Sequence, residues 1–230
     1  MNRFQQLSVV VPTLNEERII VHTLEALQGL RELGAEVILV DGGSSDQTVT
    51  QSDPLVDRLL TVGCGRAHQL NHGWRAAGGR LIWFIHADTG LAGEPWQQLA
   101  PMLDDDTAWG RFDIRLESPR GAFRVIETAM NWRSRLTGIA TGDQGIFVAR
   151  SLLERVDGFP RIELMEDIAL SRRLKRLARP RCLRQRLGTS TRRWEERGIV
   201  NTVLLMWYLR AAYFLGARPA DLARRYRHAR

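Results

Sequence analysis

Along the first ninety positions, apolar residues fall into two alternating kinds of run. "LSVVVP" (Leu7–Pro12), "EVILVD" (Glu36–Asp41), "RLLTV" (Arg58–Val62) and "LIWFI" (Leu81–Ile85) are short, nearly continuous apolar stretches. Runs of this length, bounded by polar turn residues, predict strands buried on both faces. Between them the apolar spacing is helical. In "EERIIVHTLEALQGL" (16–30), Ile19, Thr23, Leu27 and Leu30 share one stripe, with Ile20 and Leu24 beside it. "GRAHQLNHGWRAAGG" (65–79) reads as a helix stopped by Gly78-Gly79. The alternation predicts βαβ units, hence an α/β fold with a mainly parallel central sheet and helices on both faces.

The second half breaks this rhythm. "TAWGRFDIRLE" (107–117) alternates at strand period, and "GAFRVIETAMNWRSRL" (121–136) carries Phe123, Ile126 and Met130 at helical spacing. "TGDQGIFVAR" (141–150) predicts a strand entered through a glycine turn, and "IELMEDIALSRRLKRLA" (162–178) a helix with Glu166 and Asp167 in its first turn. Carboxylates there are stabilised as anions by the helix dipole, which suits either simple dipole compensation or a general base held ionised.

In open parallel sheets, ligands sit outside the carboxyl ends of the strands. The predicted strand ends present Pro12-Thr13-Leu14-Asn15-Glu16, Asp41-Gly42-Gly43-Ser44 and His86-Ala87-Asp88. Any one of these acids is more often a cap or a turn residue, and Asn15 and Asp46 each read as a helix N-cap. Their shared placement at one edge points instead to a nucleotide, with Asp41 accepting from a base or ribose and Asp88 holding a divalent cation on phosphates. A dinucleotide fold would need G-x-G-x-x-G after the first strand, where "PTLNEE" has no glycine, and no P-loop motif occurs. "LDDDT" offers Asp104, Asp105 and Asp106 in a row but follows a helix-like segment (94–103), so it reads as a solvated turn. His68 and His72, four apart on a helix, lack further ligands and read as a surface pair.

Composition adds bounds. With 230 residues and 44% apolar content the chain makes one domain of ordinary size, with room for an appendage. Cys64 and Cys182 form neither a metal spacing nor a disulfide framework, and "MNRFQQLSVVVP" is no secretory leader, so a cytoplasmic location is expected. Charge is divided unevenly. Up to Ser171 there are 16 Arg against 23 acids, and from Arg172 there are 17 basic residues against three acids. A basic tail on an acidic body suggests an anionic partner. The segment "RRLKRLARPRCLRQRLGTSTRRW" (172–194) carries no helix-turn-helix, zinc-finger or RNA-binding signature, so no nucleic-acid partner is expected.

Taken in order, "VVVPTLNEE", "LVDGGSSD", "RAHQLNHGWRAAGG", "FIHADT", "GDQGIFVAR" and "MEDIALSRRL" resemble the family-2 glycosyltransferases, inverting enzymes of the GT-A nucleotide-diphospho-sugar fold. The match spans about residues 7 to 195, and "HADT" resembles a small soluble bacterial subgroup. The resemblance implies a transferase domain over 1–195 and a basic helical extension over 196–230. It implies that Pro12, Thr13, Asn15 and Glu16 form the first nucleotide-binding turn, Asp41 contacts the base (usually uracil), and Arg66 lies near the nucleotide. It implies that Asp88 is the last aspartate of D-x-D, meeting a Mn²⁺ or Mg²⁺ ion, and that Asp167 is the catalytic base with Glu166 beside it. His86 stands where the first aspartate of D-x-D is expected; an imidazole there binds metal, hydrogen-bonds a phosphate or ribose, or caps the strand end. The implied reaction moves one sugar from a nucleotide-diphosphate donor to a hydroxyl of an unidentified lipid-linked or small-molecule acceptor. A nucleotidyltransferase of the same fold is the nearest alternative, although it typically carries a glycine-rich loop where this chain has "TLNEE"; a basic protein that binds nucleic acid or a membrane surface is the alternative outside the enzymes.

"STRRW" (190–194) is similar to the Q-x-x-R-W signature of processive members, but Ser190 replaces the glutamine, which favours single-sugar transfer; Arg192 and Arg193 are candidates for an anionic acceptor or the diphosphate. "IVNTVLLMWYLRAAYFLG" (199–216) is interrupted by Asn201 and Arg210, too short a clean run to span a bilayer. It reads as a helix packed on the domain, a dimer contact, or an interfacial helix whose arginines touch anionic lipid.

Overall fold

The computed structural model describes residues 3–191 and 198–228. Eight strands form one sheet, in the order β3-β2-β1-β4-β7-β6-β8-β5. The first half supplies β1 (Leu7–Thr13), β2 (Glu36–Asp41), β3 (Arg58–Thr61) and β4 (Leu81–Phe84), all mutually parallel. The second half adds β5 (Thr89–Gly90), β6 (Trp109–Leu116), β7 (Phe147–Ala149) and β8 (Arg181–Thr189). Here β7 runs antiparallel to both β4 and β6, and β8 runs parallel to β6.

The continuous apolar runs become strands because alternate residues feed two separate cores. Val9, Val11, Val37, Leu39, Leu81 and Trp83 point to one face. Helices α1 (Ile20–Ala26) and α2 (Gln28–Glu32) cover it with Ile20, Leu24, Leu27 and Leu30. Val10, Ile38, Val40, Ile82 and Phe84 point to the other. That face is covered by α4 (Arg66–Ala76), α6 (Arg150–Val156) and α7 (Glu166–Leu174), through residues such as Trp74, Leu153 and Leu170. The short α3 (Thr48–Ser52) follows β2, and the long α5 (Gly121–Thr137) follows β6 and packs Phe123 on Ile114 and Leu116. Each strand valine or leucine removed from water contributes about 1.5–3 kcal/mol, so register is held from both sides. Helix α4 approaches β1 closely. A methyl group on Gly73 would lie 2.3 Å from Val10 Cγ1, so only glycine fits there.

Several expected boundaries move. The helix expected over 16–30 starts at Ile20 and breaks at Leu27. Asn15 is no N-cap: it sits at φ 54 in the turn, and Ile19 occupies the cap without a side-chain bond. Asp46 does accept the Thr48 amide at 3.0 Å, one residue ahead of the cap. The segment 94–103 is a 3-10 helix, Pro95–Met102, which tolerates Pro101 inside it. The arginine-rich stretch read as a basic tail contains strand β8, mostly half-exposed. Asp104 and Asp106 sit on the surface against Arg80, and Asp105 against Arg181. His68 and His72 stack on the exposed side of α4 with ring centroids 4.4 Å apart.

Helices α8 (Ile199–Phe214) and α9 (Pro219–His228) follow. Leu209 and Leu222 pack with Ile139, Met165 and Ile168, at the start of α7. The opposite side of α8 exposes Val200, Leu204, Trp207 and Phe214. Among the described residues no helix is long and apolar enough to cross a membrane. Arg192, Arg193 and Trp194 lie outside the described residues.

Candidate active site

The β1 and β2 ends are tied into one lip. Pro12 pairs with Val40 and Thr13 with Asp41. The Thr13 carbonyl accepts the Gly42 amide at 2.9 Å and Gln69 Nε2 at 2.7 Å, and the same side-chain amide donates to the Val40 carbonyl at 2.8 Å. Gln69 is buried on α4, so this helix clamps both strand ends. Asp41, 1% exposed, accepts the Gly43 and Ser44 amides at 2.8 and 2.9 Å and the Ser44 hydroxyl. Its carboxylate thus shapes the turn it belongs to. Asn15 locks the two loops together: its amide donates to Ser44 Oγ at 2.8 Å, and its Oδ1 accepts from the Ser45 amide at 2.9 Å. The Glu16 amide donates to Thr48 Oγ1 at 2.8 Å. Thr13 Oγ1 is buried with no hydrogen-bond partner, an orphan polar atom at the strand end.

A second cluster lies beyond β4. Arg66, His86, Gly142, Glu166 and Asp167 line one pocket, floored by Leu70, Phe84, Ile146 and Phe159. Of the ten site residues expected from sequence, four therefore meet here. Pro12, Thr13, Asn15, Glu16 and Asp41 build the neighbouring lip. Asp88 is not part of the pocket wall, but its charge reaches Arg66.

The pocket is fixed from several directions. Asn71 on α4 donates to the Phe159 carbonyl at 2.7 Å and accepts the Phe159 amide at 2.9 Å and Trp74 Nε1 at 2.9 Å. Phe159 then meets Phe84 edge to face, centroids 5.0 Å apart. Thr141 and Gln144 form a reciprocal cap on the 3-10 turn Gly142–Gln144. From that turn the Gly142 amide donates to Asp167 Oδ2 at 2.8 Å, and Asp167 Oδ1 accepts the Ile168 amide at 2.7 Å. A methyl group on Gly142 would sit 2.6 Å from His86 Nε2 and 3.9 Å from Asp167 Oδ2, so the imidazole lies against the loop that holds Asp167.

Glu166 is 5% exposed, and burial, reinforced by Asp167 and opposed by Arg66, pushes its carboxyl up to about 7. Arg66 Nε stands 3.8 Å from Glu166 Oε1. Desolvation pulls the Arg66 guanidinium down, but Glu166, Asp167, Tyr226 and Asp88 outweigh it and raise it.

Gln69, Gly142 and Tyr226 were not foreseen as site residues. A glycine turn was visible at 141–145, but contact between positions 86 and 142 leaves no trace in local pattern. Tyr226 arrives from α9, packed near Met165 and Ile168.

For a cation, the donor chemistry is sparse. Among the described residues no group of three or more His, Cys, Asp or Glu side chains is placed to hold a metal ion. Asp88 offers a hard carboxylate oxygen, and magnesium or manganese routinely completes its shell with water and substrate phosphates. The described residues form no preformed cage; an ion held by Asp88 would take the rest of its shell from water and phosphate oxygens.

A mixed sheet with a polar lip at the ends of β1 and β2, and a charged pocket beyond β4, has the architecture of the GT-A glycosyltransferases to which it is similar. Residues 8–155 match the sequence model of glycosyl transferase family 2, and the chain belongs to that family. It is 28% identical over 155 residues to the Escherichia coli K12 protein "Uncharacterized glycosyltransferase YibD", covering 62% of this chain and 43% of that one. Among solved structures it is similar to S. aureus TarS 1–349 in complex with UDP (TM-score 0.65, 20% identity, 80% of this chain and 60% of that one). It is also similar to glucosyl-3-phosphoglycerate synthase from Mycobacterium tuberculosis, in complex with Mn²⁺, UDP and glucosyl-3-phosphoglycerate (TM-score 0.59, 23% identity, 80% and 70%). A third is the mannosyltransferase PcManGT from Pyrobaculum calidifontis with GDP-Man and Mn²⁺ (TM-score 0.58, 26% identity, 80% and 56%). The chain thus spans less than half of YibD and 60% of the TarS fragment.

Proposed function

We propose that the protein transfers a single sugar from a nucleotide-diphosphate donor, UDP-linked, to an acceptor hydroxyl with inversion, and that Asp167 is the base. The observation that carries this reading is the placement of Asp167. Its Oδ2 is oriented by the Gly142 amide and its Oδ1 by the amide of Ile168, at the N-terminus of α7. Two amide donors fix the carboxylate's orientation, and the pocket gives it a face on which a hydroxyl can dock.

The lip of Pro12, Thr13, Asn15, Glu16 and Asp41 receives the nucleoside. Asp41 holds the turn and presents Ser44, while the orphan Thr13 hydroxyl supplies an uncommitted polar group beneath the base. Asp88 would hold a divalent cation, Mn²⁺ or Mg²⁺, which when bound would supply positive charge to a departing diphosphate. Arg66 adds positive charge on the same side, and Glu166 holds Arg66 in place. His86 spaces the diphosphate side from the base and hydrogen-bonds donor phosphate or ribose. Asp167 takes the proton from the acceptor hydroxyl as it attacks the anomeric carbon from the face opposite the diphosphate.

The acceptor is a lipid-linked or small molecule, and the exposed side of α8 with its Trp207 and Phe214 suits contact with a membrane surface, the arginines of the C-terminal part facing anionic headgroups. The transferase unit is residues 1–195, with 196–230 as the extension that closes against α7.

The test is turnover of a panel of UDP- and GDP-sugars, followed by release of free nucleoside diphosphate, with the product's anomeric configuration read by NMR. Inversion is expected, and Asp167→Asn is expected to lower the rate by about 10²–10⁴-fold with nucleotide affinity retained. Retained configuration overturns the mechanism. Pyrophosphate release from a nucleoside triphosphate establishes the nucleotidyltransferase alternative in its place.

A further inference from the structure

Near the loop that orients the proposed base lies a guanidinium that makes no ion pair among the described residues. Arg133, on α5, has buried Nε and Nη2 atoms that find no hydrogen-bond partner, and its Nη1 reaches only the Ile139 carbonyl at 3.5 Å. Ile139 opens the loop that carries Gly142, whose amide orients Asp167. The neighbouring arginines of this helix and strand are paired, Arg111 and Arg135 both with Asp113. Neither Arg133 nor Arg210 of α8 takes part in an ion pair among the described residues. Arg210 follows Leu209, the residue that seats α8 on Ile139 and Ile168, and its charge is felt at Arg133.

Buried guanidinium nitrogens left without partners on a half-buried cation, with a like charge felt nearby, are costly unless a ligand completes them. Burial, then Arg210, push the Arg133 guanidinium down to about 10, against the pull of Asp143 and Asp167. The charges of Asp143 and Asp167 reach Arg133 but do not pair with it. The geometry agrees: Arg133 reaches the Ile139 carbonyl, and Ile139 packs with Ile168, the residue after Asp167, so the guanidinium lies on the α7 side of the pocket.

We propose that Arg133 and Arg210 hold an anionic group, a phosphate or a carboxylate, of the acceptor whose hydroxyl Asp167 deprotonates. This rests on the glycosyl-transfer reading above and supplies its missing acceptor class. Planar guanidinium groups suit such anions because they donate two parallel hydrogen bonds. The extension then has a catalytic use: without α8 the second cation is absent.

The probe is inorganic phosphate, titrated by calorimetry into the full chain, nucleotide-free and saturated with UDP and Mg²⁺, with Arg133→Gln and Arg210→Gln beside wild type. Phosphate is expected to bind in both states. Arg133→Gln is expected to weaken it by roughly tenfold or more, with UDP affinity within about twofold of wild type. In anion-free buffer Arg133→Gln is expected to melt no lower than wild type, because it removes an unsatisfied charge; a structural arginine would lower the melting point. Equal phosphate binding in wild type and Arg133→Gln overturns the proposal. So does phosphate binding that UDP abolishes, which would assign the arginines to the donor diphosphate. Failure of UDP to bind wild type counts against glycosyl transfer instead, and the nucleotide-free titration still decides the anion site.

Discussion

Gly142 faces two site residues at once: its amide donates to Asp167 Oδ2 at 2.8 Å, and its Cα packs against the His86 imidazole so closely that an added methyl would come within 2.6 Å of Nε2. One backbone position therefore sets the spacing between the end of β4 and the start of α7. In the proposed reaction that spacing separates the leaving diphosphate from the base.

Substituting Gly142 by alanine should push His86 aside and tilt the base loop. We expect turnover to fall by about ten- to a hundredfold with nucleotide affinity within about threefold, because misplacement of a catalytic group near 1 Å costs up to about 10²-fold. Steady-state kinetics and UDP titration on the same preparation check the split. A loss confined to nucleotide affinity would show that the loop serves the donor alone.

Glu166 makes stability depend on pH. Its carboxyl is raised by burial and by Asp167 from 4.5 to about 7. The folded state therefore binds the proton more tightly than the unfolded chain, so this group's contribution is complete below pH 4.5 and is lost as pH rises through 7. The loss is on the order of 3 kcal/mol at most, since a tenfold difference in proton affinity corresponds to about 1.4 kcal/mol. Glu166→Gln should melt higher than wild type at pH 8 and similarly at pH 4.5, as thermal denaturation at the two pH values would show.

Much of this architecture was legible because β1, β2 and β4 are continuous apolar runs that must be buried on two faces, and their ends marked one edge. The end of "LIWFI" gave His86 and Asp88, and the acids of "MEDIAL" gave Glu166 and Asp167. Strand β8 was hidden because its arginines alternate with weakly apolar residues and stay half-exposed, so charge masked the strand period. The break at Leu27 was invisible because its stripe continues across it: Leu24, Leu27 and Leu30 all face the same core. Arg133 and Arg210 lie 77 positions apart, and only the docking of α8 brings the charge of one to bear on the other.

Asn71 supports the pocket without lining it. Asn71→Ala leaves the Phe159 amide and carbonyl and the Trp74 indole unpaired, at a cost of about 3 kcal/mol. Chemical denaturation should show the lowered midpoint. An unchanged midpoint would mean that the 157–160 turn is held by something other than this side chain.

Leu209 is fully buried between α8 and the start of α7. Leu209→Ala should cost about 2–5 kcal/mol through the cavity it leaves, and should also reduce turnover, because Met165 and Ile168 flank the two acids. Stability lost with turnover per folded molecule unchanged would separate the extension from the site.

The central claim is that the strand-end acids hold a nucleoside diphosphate through a shared cation. The direct measurement is calorimetric binding of UDP, GDP, CDP and dTDP, each with and without Mn²⁺, to wild type and Asp88→Ala. One diphosphate, UDP, should bind tightly only with Mn²⁺, and Asp88→Ala should weaken it by about tenfold or more. Binding that ignores both the ion and Asp88 would contradict the shared-cation site, and failure of all four diphosphates to bind would contradict the nucleotide-sugar function itself.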